Sequence, residues 1–533
     1  MDSPNQQHYS MHSLRYPQKQ VVPLFLRLTL LLLLFLFSVW NKSIAQGTIT
    51  PVWQKIKSSP LSGGWTEGWG VDVDKNGDVY WPVSFDSTAT NHLYNICIYK
   101  FDSTGHQRWQ SYYAGAGLHN AFVCNASDTS LYVGGIENTV SPYAKSASHM
   151  LFLKIDTANG SILKHNNINF GAPAGYDEVD DIIPASDGLY CGGWAQVNGG
   201  FAVGVMGLLK LDRNLNLIKK TILGDTTYSG ESHIDGHIIL DSTSVYACGM
   251  WEGHGFPANL TNGKKIVSKF NRAGLMLTDS VTFGTHFSGC LEDALGSTSD
   301  GKYIYMTGYT NPVTTSDLQL FVAKFDKNLH QIWIKYFGGS GGEEARAIKV
   351  DKGFVYIGGA SSTPAYAPFG GYDAVVVVYD TAGNYIRCNA YGDSKDNEIR
   401  DLVIKGRYMY ICGTSGTRLF NGGSSDSAFL VKVDINTLIT GIDQTPESSP
   451  AVQVYPNPVK DLLSIHLTEL KGAKTHLIVY NITGSKLMEE EVRLSDSGGD
   501  LMLNVSTIPP GIYFLKCEFN TGPLIVKFIK ASF

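Results

Sequence analysis

The chain lacks most of what would announce an enzyme. No HExxH and no GxxxxGK[ST] occurs in its 533 residues, so neither a zinc-peptidase helix nor a phosphate-cradling loop is written in it. Its eight cysteines form no CxxC pair and no close framework, which gives no zinc knuckle, redox pair or disulfide scaffold. Charge is thin, at 17% Asp, Glu, Lys and Arg, and shows no basic excess. From 60 to 440 no stretch keeps a helical period. After one apolar run near the start, none is long enough to cross a membrane. "GGSGGEE" at 338–344 is rich in glycine but no helix follows it. A phosphate site needs helix N-terminal amides, so the stretch reads as a turn.

What is present begins with an export signal. Arg15, Lys19 and Arg27 precede the apolar part of "LRLTLLLLLFLFSVW" (26–40), and "NKSIAQ" brings small residues up to Ala45. Residues 1–45 are therefore expected to be a secretory signal peptide, cleaved after Ala45. No Cys follows the run, which argues against a lipid anchor. Taking away its four basic residues and one acidic residue leaves 38 Lys and Arg against 47 Asp and Glu, a net charge of −9. An acidic exported protein has no electrostatic footprint for nucleic acid.

A repeat fills 51–442. An aromatic followed by a small pair recurs as "YVGG", "YCGG", "YACG", "YMTG", "YIGG" and "YICG", with a degenerate first copy, "YWPV", at Tyr80. A second element ends at Asp102, Asp156, Asp212, Asn271, Asp326, Asp380 and Asp434, in steps of 54 to 59 residues. Each copy reads as four short strands, A to D, rich in β-branched and aromatic residues and separated by Gly, Asn and Asp. Four strands per repeat of about 50 residues predicts an all-β, seven-bladed β-propeller with four-stranded blades. Cys191, Cys248 and Cys412 fall at equivalent places in different copies, so they are expected to be buried free thiols.

After Asp434 no convincing strand D remains before the next domain. "VWQKIK" at 52–57 looks like "QIWIKY" at 331–336, where Trp333 stands as Trp53 does. The N-terminal strand is thus expected to close the ring by completing the last blade, since an open ring would leave two exposed sheet edges. The copies resemble the bacterial seven-bladed propeller repeats with the pattern D-x-x-G-x-x-Y-x-x-G, seen in "DKNGDVYWPV" (74–83) and "DGKYIYMTG" (300–308). That resemblance implies the fold and says nearly nothing about chemistry.

A polar, Pro-containing linker at 443–453 leads to a small β-sandwich over 454–533. "VYPNPVKDLLSI", "VYNITGSKL", "PPGIYFL" and a Lys-containing last strand resemble the type A sorting domain of the type IX secretion system of Bacteroidota. The usual closing strand has adjacent lysines, whereas here Lys527 and Lys530 flank "FI". The resemblance implies export across the outer membrane to the medium or the cell surface, with the secretion machinery as partner.

Three features bear on a site. "DVDKNGD" at 72–78 has Asp72, Asp74, Asn76 and Gly77 at calcium-loop offsets, but Val83 stands where a Glu is needed, so it reads as a turn. An acidic residue recurs before strand A, at Glu67, Glu178, Glu292, Glu344 and Glu398, with His119 and His233 in the other copies. A cation or polar ligand between them is one reading. The other is hydrogen bonding to backbone amides at each blade junction, which suits a position repeated in most copies. Lastly, the B–C connections are long and all differ, which suggests a recognition face on a fixed scaffold. There Trp194, Trp251 and Tyr309 follow the small pair, with Glu252 and His254 beside them. They form either an exposed platform for a sugar or protein partner, or loop cores. The function expected is a monomeric, non-catalytic recognition or scaffold module without metal or cofactor, binding a glycan or a protein. The alternative is a polysaccharide-active hydrolase or lyase on the same face.

Overall fold

In a computed structural model of the chain, strand after strand alternates with short turns, and one helix, Ile435–Thr440, stands among the described residues. Those residues are 46–440 and 452–531, save 62–63, 87–93, 116, 128, 139–147, 171–174, 197–203, 225–229, 234–236, 255–263, 285–291, 311–317, 418–423, 468–473, 482–484, 494–499 and 520–521. The expected signal peptide, most of the linker and all but one of the long B–C loops lie outside them.

Seven antiparallel four-stranded sets follow one another among the described residues. The sixth is representative: Glu343–Asp351, Phe354–Ser361, Asp373–Asp380 and Tyr385–Tyr391, in that order across the sheet. The third and fourth sets are joined by one parallel pair, Gly204 with Glu231. The first strands of the sets neighbour one another in a ring. Leu118–Ala126 lies beside Asp181–Ala185, Glu292–Ser299 beside Glu343–Asp351, and Asp396–Lys405 beside Asp72–Val73 of the first set. This is a propeller-like all-β fold.

The repeat has a physical cause at each recurring residue. The Asp of the A–B turn accepts a hydrogen bond from the hydroxyl of the buried strand-B tyrosine: Asp74 from Tyr80 at 3.0 Å, Asp187 from Tyr190 at 2.7 Å, Asp300 from Tyr305 at 2.9 Å. Asp74 Oδ1 also accepts the amides of Asn76 and Asp78, and Gly77 has φ +85°. The calcium-like stretch is an Asx turn, and Asp72 instead accepts the Ala126 amide of the next set. The Asp ending strand C caps the C–D turn in the same way, as when Asp380 Oδ1 accepts the amides of Ala382 and Asn384.

The opening strand is where the sequence places it. Trp53–Ser58 pairs antiparallel with Ser424–Asp434, so it is the outer strand of the seventh set. Trp53 covers Gly105 of the first set and donates from Nε1 to Ser103 O at 3.1 Å. Trp109 does the same over Gly160, donating to Thr157 O at 3.1 Å, and Trp333 covers Gly383. One further strand was not anticipated. Gln46–Thr48 adds in parallel to Tyr385–Tyr391, and Ile49 enters a core with Ile435 and Leu438 of the helix.

The chain divides into two compact units at Gly441 and Ile442. In the second, Val452–Tyr455, Leu462–Leu467 and Asp500–Asn504 form one sheet. Lys486–Arg493, Lys474–Asn481, Gly511–Phe519 and Gly522–Lys530 form the other, around Leu463, Leu477, Val479, Leu515 and Phe528. Among the described residues all seven cysteines are free and buried. No described helix is long and apolar enough to cross a membrane.

Candidate functional site

The small pair of each repeat shapes the centre of the ring. In the second, fifth, sixth and seventh sets the first strand carries a β-bulge opposite it, between Ala121 and Val123, Ala294 and Gly296, Ala345 and Ala347, and Ile399 and Asp401. The strands approach so closely there that a Cβ on Gly359 would collide with Glu344 O, and one on Gly413 with Glu398 O. Only glycine fits. A bulge re-aims its extra residue, and these are Phe122, Leu295, Arg346 and Arg400. Together with Trp69, Asp180 and His237 they line a cavity of about 140 Å³ at the axis. Each of the seven sets contributes to it.

Charge inside the cavity is ordered. The Arg400 guanidinium lies 3.8 Å over the Trp69 ring, and that of Arg346 lies 5.6 Å from it. Glu398 holds both, at 2.8 Å to Arg400 Nη2 and 2.5 Å to Arg346 Nε, while Glu344 holds Arg346 Nη2 at 2.5 Å. Burial lowers the pKa of Arg400, with Glu398 opposing. Trp69 donates from Nε1 to Glu67 at 3.0 Å, and its ring meets Phe122 edge-on at 5.4 Å. Round the ring, Asp180 and Glu178 of the third set stand across from the sixth and seventh.

The recurring acidic residues prove to be held mainly by side chains, rather than by the backbone amides expected. Asn120 donates to Glu67, Tyr176 to Glu178, and the two arginines to Glu344 and Glu398. Register also changes two equivalences. Asp293 opposite Tyr309 and Asn120 opposite Ile136 match Glu344 opposite Ala360, so Glu292 and His119 sit one residue early, on the other face. There Glu292 pairs with a fully buried Lys265 at 2.9 Å, and His119 with Glu137 at 3.0 Å. His233 lies opposite Met250.

Below the cavity, His237 spans the axis between Asp181 at 3.4 Å and Asp401 at 3.6 Å. Those carboxylates are tied to backbone amides, Asp181 to Ile238 and Asp401 to Val71. Burial alone would lower the His237 pKa, but the two aspartates outweigh it, against Lys349, and raise it to about 9. A general base needs a pKa near the working pH, so this imidazolium acts as a tie across the ring. Its folded pKa exceeds its unfolded one. The stabilisation is therefore complete below about pH 6.5 and lost as pH rises through 9. Melting temperature should fall between pH 8 and 10, and His237→Gln should flatten that fall. Equal slopes in both proteins would refute the tie. Beyond His237 a second cavity of about 330 Å³ opens, lined by Asp72, Asn125, Ser297 and Lys349 among others. Burial raises Asp72 there to about 6.

The aromatic residues picked from sequence are partly buried. Trp194 meets Tyr176 at 4.9 Å and lies over Gly204. Its backbone carbonyl accepts the Glu178 amide, so Trp194, Tyr176 and Glu178 link a blade edge to the axial cavity. Trp194 and Tyr309 hold equivalent register positions, whereas Trp251 matches Ser361, one residue on. By strand alternation Trp194 and Trp251 face one junction, that between the third and fourth sets, where Trp251 packs on a core including Tyr190 and Met206. Tyr309 is turned to the next junction but one. Glu252 and His254 lie in strand Ser244–His254, and their side chains are outside the described residues. Sequence reading missed the axial arginines and Trp69. Their signal was the residue two places after Glu67, Glu344 and Glu398.

These features define an all-β, propeller-like protein with a separate β-sandwich tail. Residues 453–531 match the secretion system C-terminal sorting domain family, which marks the chain for type IX export to the cell surface or beyond. No curated protein sequence matches it. Among solved structures it is similar to virginiamycin B lyase from Staphylococcus aureus, with 12% identity, a TM-score of 0.40, and coverage of 72% of this chain and 100% of that one. It is also similar to Pyrococcus horikoshii acylaminoacyl peptidase, with 11% identity, a TM-score of 0.38, and coverage of 77% and 59%. Neither likeness bears on function.

Proposed function

We propose that the chain is a monomeric exported recognition protein, seven-bladed and non-catalytic, that presents its B–C loop face to a glycan or protein partner. One observation carries this. Around the axis on that face, equivalent positions hold Trp69, Asp180, Leu295, Arg346 and Arg400, which are unlike one another. Positions that serve the repeat stay alike, as the Asp and Tyr of the turns do, so this rung answers to something outside the repeat. In this reading Trp194 belongs to the outer part of the same face, and Trp251, Tyr309, Glu252 and His254 are the further candidate contacts. A glycan and protein binding panel on the mature chain, with turnover assayed in parallel, tests the reading. Trp194→Ala should weaken the partner found by about tenfold, because Tyr176 and Glu178 lose their brace, while shifting the melting temperature by only about 2 °C. Unchanged binding with a sharp loss of stability would make Trp194 a loop core and remove it from the face. Turnover of a polysaccharide in the panel would overturn the non-catalytic reading.

A further inference from the structure

The axial cavity also specifies what it would hold. Arg400 is 11% exposed at its side chain, and it pairs with one carboxylate, that of Glu398, through Nη2. Its buried Nε has no acceptor. A guanidinium carries five donors in a planar fork, and a buried one is ordinarily matched by several acceptors. The Trp69 ring stacked on it adds a cation–π attraction but no lone-pair acceptor for its N–H groups. Arg346 stands beside it, and the two cations are held side by side by Glu398. Across the cavity Glu178 and Asp180 offer acceptors, and Phe122 and Leu295 make the flanks apolar. The space, about 140 Å³, is close to the roughly 150 Å³ cavity that holds a benzene-sized molecule, enough for one small molecule and not for a chain segment.

Resting on the recognition reading above, we propose that this cavity binds a small carboxylate with hydrogen-bond donors at its far end, seated on Arg400 and Arg346. The carboxylate is matched by the two guanidinium groups that line the cavity, a planar charge geometry for which arginine is suited above lysine. The far end meets Asp180 and Glu178, which accept from hydroxyls or an ammonium and repel a second negative charge. Two sources share this chemistry: a uronic acid and an α-amino acid.

The test is calorimetric titration of the full mature chain with D-glucuronate and with L-alanine, using D-glucose and acetate as controls. Glucuronate binding without alanine assigns the uronate source, and the reverse assigns the amino acid. Whichever binds should do so at least about tenfold more tightly than its control. Arg400→Lys keeps the charge and loses the fork, and should weaken binding about tenfold. Asp180→Asn, on the opposite wall, should weaken it as well and stands in for Arg400→Lys should that variant not fold. No binding of either acid up to about 10 mM would overturn the proposal. So would glucose matching glucuronate, or binding indifferent to both variants. A partner from the panel that binds while neither acid binds or competes would refute this pocket chemistry alone. Carboxylate binding with no partner in the panel would refute only the wider reading.

Discussion

Deleting residues 46–58 from the mature chain is expected to remove most of its net stability and leave a protein that aggregates below 37 °C. Three separate losses combine. The seventh set loses its outer strand and exposes Ser424–Asp434 as an edge. The first set loses the Trp53 cover over Gly105, together with its hydrogen bond to Ser103. The sixth set loses its added strand, and the core around Ile435 and Leu438 loses Ile49. Emptying a buried Ile site alone costs about 2–5 kcal/mol, against a net stability of about 5–15 kcal/mol for a typical domain. Melting curves with light scattering would read the effect, and Ile56→Ala serves as the control, since that side chain is 57% exposed on the outer strand. A deleted protein that melts within about 2 °C of the parent, without scattering, would show that the ring does not depend on this closure.

The closure was legible because Trp53 repeats a task that Trp109 and Trp333 perform, and a repeated task leaves a repeated residue. The same reasoning reaches the Asp and Tyr of the turns and the glycine of the small pair. It does not reach the axial cavity by itself. Arg346, Arg400, Trp69 and Asp180 are unlike, so no comparison between copies aligns them. What exposes Arg346 and Arg400 is a one-residue bulge, which re-aims the extra residue toward the axis. The acidic row was misread for a different reason: residues were matched by type near the start of strand A, and Glu292 and His119 stand one residue before Asp293 and Asn120, which hold the place of Glu344. The aromatic group suffered in the same way, since Trp251 stands one residue later than Trp194 and Tyr309 and therefore faces the opposite side of its sheet. The strand Gln46–Thr48 was hidden for another reason. It is three residues long and pairs in parallel across more than 300 positions of sequence, with no pattern of its own.

Cutting the chain after Gly441 should abolish delivery beyond the outer membrane while leaving the propeller folded. The two units separate at that point, and the second has its own core of Leu463, Leu477, Val479, Leu515 and Phe528. The first unit keeps its closing strand and the helix Ile435–Thr440, so its melting transition should move by no more than about 2 °C. In a host with type IX machinery the truncated protein should accumulate in the periplasm, with its extracellular fraction reduced at least about tenfold by immunoblot of separated fractions. A point variant separates an address from mere length. Leu515 is fully buried between the two sheets of the tail, and Leu515→Asp places an unpaired charge there at a cost of several kcal/mol, enough to unfold a domain of this size. If the folded sandwich is what the machinery reads, this full-length variant should be retained as the truncation is. Export of Leu515→Asp at the parental level would place the address in a linear segment of the tail, and export of the truncated chain would show that the tail is not the address.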